Sequence, residues 1–151
     1  MDEGERKALA DIETYGCHVI NVFEENEMPP FTYSVGIGKS CGAPEIIVIG
    51  LKRELAHSIV NDYSRRVKSG ERFVDGQMTS GFLVGFDCLF REVEQKNYHE
   101  YMGWDIWLYG GLSFKVLQLI YPSTSGIWPW DTEASAWLRV RQPLLCASAV
   151  Q

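Results

Sequence analysis

Pro29-Pro30-Phe31-Thr32-Tyr33-Ser34-Val35-Gly36-Ile37-Gly38, followed by Cys41-Gly42-Ala43-Pro44-Glu45-Ile46-Ile47-Val48-Ile49-Gly50-Leu51, is the stretch that decides the fold. The two prolines hold the chain extended. Phe31, Tyr33 and Val35 then alternate with Thr32, Ser34 and Gly36, the period of a half-buried strand over 31–37. Residues 38–44 read as a loop whose glycines serve a turn that needs positive φ. From Glu45 the chain is continuously apolar to Leu51, the pattern of a central strand.

Working outward, Leu55, Ile59, Tyr63 and Val67 recur every four residues, with Ala56 and Val60 beside them. The spacing predicts a helix over 52–68 that lays this stripe on the sheet, with Gly70 closing it. Upstream, residues 2–15 read as a short helix with Ala8, Leu9, Ile12 and Tyr15 on one side, ended by Gly16. Residues 17–23 read as a strand. Downstream come a polar loop over 71–80, one or two strands over 81–93, and a helical face over 97–109 weakened by Gly103. A strand follows over 114–121. The remainder carries Pro122, Pro129 and Pro143 and reads as irregular and aromatic-rich, with a short helix near 134–137. This order predicts an α+β fold: a mixed or mainly antiparallel sheet covered by the 52–68 helix. The 151 residues fit a single domain, 1–151.

The net charge of −6 is unevenly distributed. Residues 1–30 hold eight acids and two bases, and residues 31–151 hold twelve of each. An acidic chain repels phosphate, so nucleic acid is not an expected partner. A basic protein partner is permitted, with the acids steering the encounter. No apolar run approaches the length of a membrane span, and residues 1–15 are too charged for a signal peptide. A cytoplasmic location with reduced thiols is expected.

No motif names a reaction. Cys17, Cys41, Cys88 and Cys146 form no CxxC and fit no zinc spacing. Cys17 and His18 are neighbours in a strand, so their side chains point to opposite faces and cannot form a nucleophile–base pair. His57 reads as a boundary residue of the long helix. Gly36-Ile37-Gly38 lacks the third glycine and the Lys-Ser/Thr of a phosphate loop. Glu45 reads as a carboxylate bonding the adjacent loop. No catalytic residue, metal or cofactor is expected.

A second signature runs Gln118-Leu119-Ile120-Tyr121-Pro122, Gly126-Ile127-Trp128-Pro129-Trp130 and Gln142-Pro143-Leu144-Leu145. Together with Gly16 to Val22, Pro30-Phe31-x-Tyr33-x-x-Gly36 and Pro44-Glu45-Ile46 to Gly50-Leu51, it resembles a bacterial family, the domain of unknown function numbered 4262. The resemblance runs from about Ile12 to Leu145. It departs at Ser123, where an acid is common in the family, and it implies no established reaction. Residues 29–51 alone also resemble the suppressor-of-fused superfamily, whose bacterial relatives serve as immunity proteins against toxins.

These readings point first to a non-enzymatic cytosolic binding protein, an immunity protein that neutralises a bacterial toxin by direct contact. The partner-binding residues expected are Glu24, Glu25, Glu27, Trp104, Trp107 and Asp131. The alternative is a small-molecule-binding or enzymatic domain with a pocket formed by Tyr33, Gly36, Gly38, Glu45, Gln118, Trp128 and Trp130. The two signatures, with Pro, Gly and Trp in fixed order, are expected to pack against each other in space, and the pocket alternative depends on it.

Overall fold

In a computed structural model the described residues are 1–147. Six strands form one open sheet in the order β1-β2-β3-β6-β5-β4. They are β1 (His18–Val22), β2 (Phe31–Val35), β3 (Glu45–Ile49), β4 (Met78–Leu83), β5 (Phe86–Glu92) and β6 (Val116–Ile120). Every neighbouring pair is antiparallel except β3 and β6, which run parallel. The helices are α1 (Glu3–Tyr15), α2 (Ile37–Cys41), α3 (Arg53–Lys68), α4 (Tyr98–Tyr101), α5 (Gly103–Tyr109) and α6 (Ala136–Arg141).

The continuous apolar run of β3 has a direct cause. Ile46 and Val48 face the layer built with α3, while Ile47 and Ile49 face the layer built with α4 and α5. Both faces are dry, so neither can be polar. The α3 layer holds Ala56, Ile59, Val60, Tyr63 and Val67 with Phe73, Phe82 and Phe90. Ile12 of α1 packs into the opposite layer beside Val35, Tyr101 and Met102. The sheet is therefore covered on both faces, with α3 and the short α2 on one.

Three sequence expectations need correction. Leu55 stays 41% exposed, outside the buried face. A strict four-residue step advances about 40° per step around a helix of 3.6 residues per turn, so such a stripe drifts off the face it starts on. In α1 only Ala8 is buried, and Leu9 and Tyr15 face outward. Residues 37–41, expected as the end of a strand and a loop, form α2.

α2 starts where Gly36 turns to φ +102°. Its first amides are satisfied by the Glu45 carboxylate, which accepts from the N–H groups of Gly36, Ile37 and Gly38 at 3.0–3.2 Å. The C-terminal segment is strapped down in the same manner. Gln142 bonds both backbone groups of Tyr121, and Gln118 accepts from Leu145 N–H and donates to the Pro143 carbonyl. The irregular tail thus closes its buried polar groups on side-chain amides rather than on a ladder.

Candidate functional site

The sheet has two open edges, β1 and β4, and they are finished differently. β4 carries a register shift between Thr79 and Leu83, with Gly81 at φ +94°. Arg66 reaches over it from α3, stacks on Phe82 with its guanidinium carbon 4.4 Å from the ring centroid, and donates to the Ser80 carbonyl. Bulges and charged side chains are the usual ways of blunting an edge. β1 pairs with β2 without interruption from His18↔Val35 to Val22↔Phe31, and no proline or lysine interrupts it.

The register fixes which β1 groups are spent. The Gly50 N–H donates to the Pro30 carbonyl across the β2–β3 ladder. By alternation, Thr32 and Ser34 turn their backbone groups to β3, while Phe31, Tyr33 and Val35 turn theirs to β1. His18, Ile20 and Val22 answer them. Val19 and Asn21 are left with N–H and C=O directed away from the sheet.

That open edge lies on the floor of a groove of about 620 Å³. One wall is α1, with Lys7, Asp11 and Tyr15. The other is α3, with His57, Asn61, Ser64, Arg65 and Lys68. Cys17, His18 and Val19 supply the floor. The groove follows from topology, because α1 and α3 pack on opposite faces and β1 is the last strand between them. Lys68 crosses its end, its Nζ donating to the Tyr15 carbonyl at 3.1 Å.

Side chains in the groove are held from behind. His18 Nδ1 sits 2.7 Å from Asp11 Oδ2, and Lys7 Nζ is 3.2 Å from the same oxygen. Burial pushes the Asp11 carboxyl up, but the bonds to His18 and Lys7 outweigh it and hold it below the usual range. Thr32 Oγ1 donates to Asn21 Oδ1 at 2.9 Å, which leaves the Asn21 amide nitrogen to donate to His57 Nδ1 at 3.0 Å. Both imidazoles therefore have one nitrogen fixed. Cys17 packs in the α3 layer with its sulfur 3.4 Å from Ser64 Oγ, and burial pushes its thiol up to about 11. A thiol raised in this way carries little thiolate at neutral pH.

The sequence-predicted residues fall in several places. Gly36, Gly38 and Glu45 do meet, but as the α2 start, with Ser34 Oγ donating to Glu45 at 2.7 Å and Tyr109 Oη donating to its other oxygen. Burial raises the pKa of Glu45, against the lowering effect of these donors. Asp105 of α5, fully buried, is raised well above the usual range by burial and by the charge of Glu45. Neither Asp105 oxygen makes a well-formed hydrogen bond among the described residues, and only a weak one from the Gly36 N–H opposes the shift.

Tyr33 Oη accepts the Trp104 N–H, and Gln118 belongs to the C-terminal strap. Trp128 and Trp130 stack on each other with centroids 4.9 Å apart. The signatures do touch elsewhere: Tyr121 Oη donates to the Ile49 carbonyl, and Arg141, just ahead of Gln142, donates to the Gly50 carbonyl.

Of the expected partner residues, Glu24, Glu25 and Glu27 stand exposed in the turn that follows β1. Glu24 is paired with Arg141 at 3.2 Å. Trp104 and Trp107 pack edge to face, and Trp104 lies against Gly4 of α1 and near His18. Asp131 accepts the Trp128 N–H at 2.8 Å and serves the tail. Sequence reasoning missed the groove residues Asp11, His18, His57, Asn61, Arg65 and Lys68. The one available signal was that two of only three histidines stand in the first 57 residues, on a strand and on the best helix.

Among the described residues no group of three or more His, Cys, Asp and Glu side chains could hold a metal ion, and no helix is long and apolar enough to cross a membrane. A family model described as Domain of unknown function (DUF4262) matches residues 11–135. No curated protein and no solved structure matches the chain, and the likeness of residues 29–51 to the suppressor-of-fused superfamily has no counterpart among the matches.

Proposed function

The chain belongs to the DUF4262 family, and from that premise and the groove we propose that it is a non-enzymatic protein that acts by binding another protein along its β1 edge. The single observation that carries this reading is an unblunted edge strand at the floor of a helix-walled groove, in a sheet whose other edge is blunted. Exposed regular edges pair with other chains unless something prevents it. The raised Cys17 thiol supports a binding role over thiol chemistry. In its finer form the proposal is an immunity protein of the bacterial cytoplasm that blocks a toxin by direct contact, with the exposed acids of the 24–27 turn speeding the encounter.

The test is a titration against the partner captured from the native host by the tagged chain. A sharp equivalence point near one to one, lost when Arg65→Glu and Lys68→Glu are combined, is the expected result. Protection at sub-stoichiometric amounts of the chain would mean turnover and would sink the non-enzymatic reading.

One observation favours a second reading, a small polar ligand in the same groove. His18 and His57 are each oriented by a partner, as imidazoles that meet a ligand often are. Chemical-shift changes confined to the two imidazoles on adding a small metabolite extract, with no protein captured, would favour it.

A further inference from the structure

The β1 edge is electrostatically polar along its length. Its start is flanked by three cations, Lys7, Arg65 and Lys68, against two acids, with Lys7 paired to Asp11, Arg65 paired to Asp62 and Lys68 bonded to the Tyr15 carbonyl. Its end runs into Glu25 and Glu27, both exposed, with Glu24 already paired to Arg141. The start of the strand is also recessed: His18 and Val19 form the floor between the α1 and α3 walls, and all five strand residues are half-buried. Five residues of strand span about 17 Å.

Resting on the partner-binding reading, we infer that the partner docks by strand addition, laying one extended segment antiparallel to β1 and bonding the free N–H and C=O groups of Val19 and Asn21. The charge pattern gives the segment its chemistry. Its C-terminal half, opposite the start of β1, carries acids that meet Lys7, Arg65 and Lys68. Its N-terminal half, opposite the 24–27 turn, carries bases that meet Glu25 and Glu27. Residues between them alternate, since every second side chain of an added strand turns to the same wall.

The recess selects a single segment over a second copy of this chain. A second copy brings its own α1 and α3, which wall the start of its own β1 in the same manner. Two recessed edges cannot reach each other, whereas a lone extended segment enters between the walls.

The experiment is a selection of binders from a random ten-residue peptide library on the full chain, followed by affinity measurement on the enriched peptides. The expected winners carry bases toward the N-terminus and acids toward the C-terminus. They slow amide exchange at Val19 and Asn21, and they lose about tenfold in affinity on Val19→Pro, which removes one outward N–H. Proline is tolerated on an edge strand where its missing N–H faced outward, and circular dichroism checks the fold of the variant. Independently of that variant, N-methylation of alternate peptide nitrogens abolishes binding to the unaltered chain.

Strand addition is overturned by three outcomes: no enriched peptide, binders indifferent to both Val19→Pro and N-methylation, or a β1-dependent dimer of the free chain in solution. The partner-binding reading fails separately, if no protein is captured or capture survives the Arg65→Glu, Lys68→Glu pair. A captured protein that binds the Val19→Pro chain with undiminished affinity leaves partner binding standing and removes only the strand.

Discussion

The two edges of this sheet are built from strands of similar length, yet one is closed to pairing and the other is not. At β4 the ladder slips between Thr79 and Leu83, Gly81 turns out of the strand, and Arg66 occupies the Ser80 carbonyl. At β1 the ladder is regular, and what guards it is a pair of helices standing to either side. Blunting excludes every partner. Walls exclude bulky ones and admit a chain narrow enough to pass between them. The difference teaches that an edge can be protected selectively, by access rather than by distortion.

The largest expected effect removes one wall. Gly36 holds φ +102°, and a Cβ there would lie 2.6 Å from Ile12 Cγ1 of α1. Gly36→Ala should cost about 2–4 kcal/mol through backbone strain and the displaced α1. Chemical denaturation measures it. Amide exchange should quicken in β1 more than in β4, and equal quickening at both edges would erase the distinction drawn between them.

Next in size is a pH effect on the β1 side. Asp105, buried behind β2, has its folded pKa raised by burial and by Glu45, while the unfolded chain ionises near 3.8. The folded state therefore holds a proton that the unfolded state releases, and stability falls as pH rises above the unfolded value until the folded pKa is passed. The slope reaches about 1.4 kcal/mol per pH unit for one such group. Asp105→Asn should flatten the profile above the unfolded value of 3.8 and stabilise the fold most at the upper end of that rise. A slope unchanged in the variant would assign the dependence to Glu45 instead.

At the blunted edge, Arg66→Ala removes the stacking on Phe73 and Phe82 and the bond to Ser80. About 1 kcal/mol should be lost. The telling measurement is self-association by light scattering, since the comparison requires β4 to become stickier while β1 keeps its behaviour.

The smallest effect is Asp11→Asn, about 0.5 kcal/mol and reduced by salt. The Asp11 pKa is depressed, so its contribution is present above about pH 4 and lost as pH falls through the folded value. Below that point the variant and the parent should melt together, while above it the His18 imidazole signals of the variant report its loosened orientation.

How much of this was readable beforehand follows from how local each feature is. The β3 run and the α3 helix announce themselves because burial on two faces, or on one helical face, writes a pattern within a dozen residues. At Leu55 a four-residue repeat and a 3.6-residue turn part company, so the sequence pattern places it on the buried face and the helix does not. α2 was hidden because its first amides are capped by Glu45, seven to nine residues further on and in a different element. The groove was hidden more deeply. His18 and His57 become neighbours of one cavity only because β1 is the outermost strand. No residue of β1 encodes its place in the order; that place is decided by where β6 inserts beside β3.

The lone parallel contact, Glu45↔Val116 to Ile47↔Gln118, also sets the order of assembly. The β4–β5 turn spans only Val84 and Gly85 and the β1–β2 connection runs over residues 23–30, so both hairpins close far more cheaply than the 45–116 pairing. The β3–β6 seam must wait until the chain between them has been gathered in, which places it late on the folding route. A weakened seam, as in Val116→Ala, should therefore leave the refolding rate nearly untouched and quicken unfolding, so that the lifetime of the native state, rather than the speed of reaching it, is held at that one join.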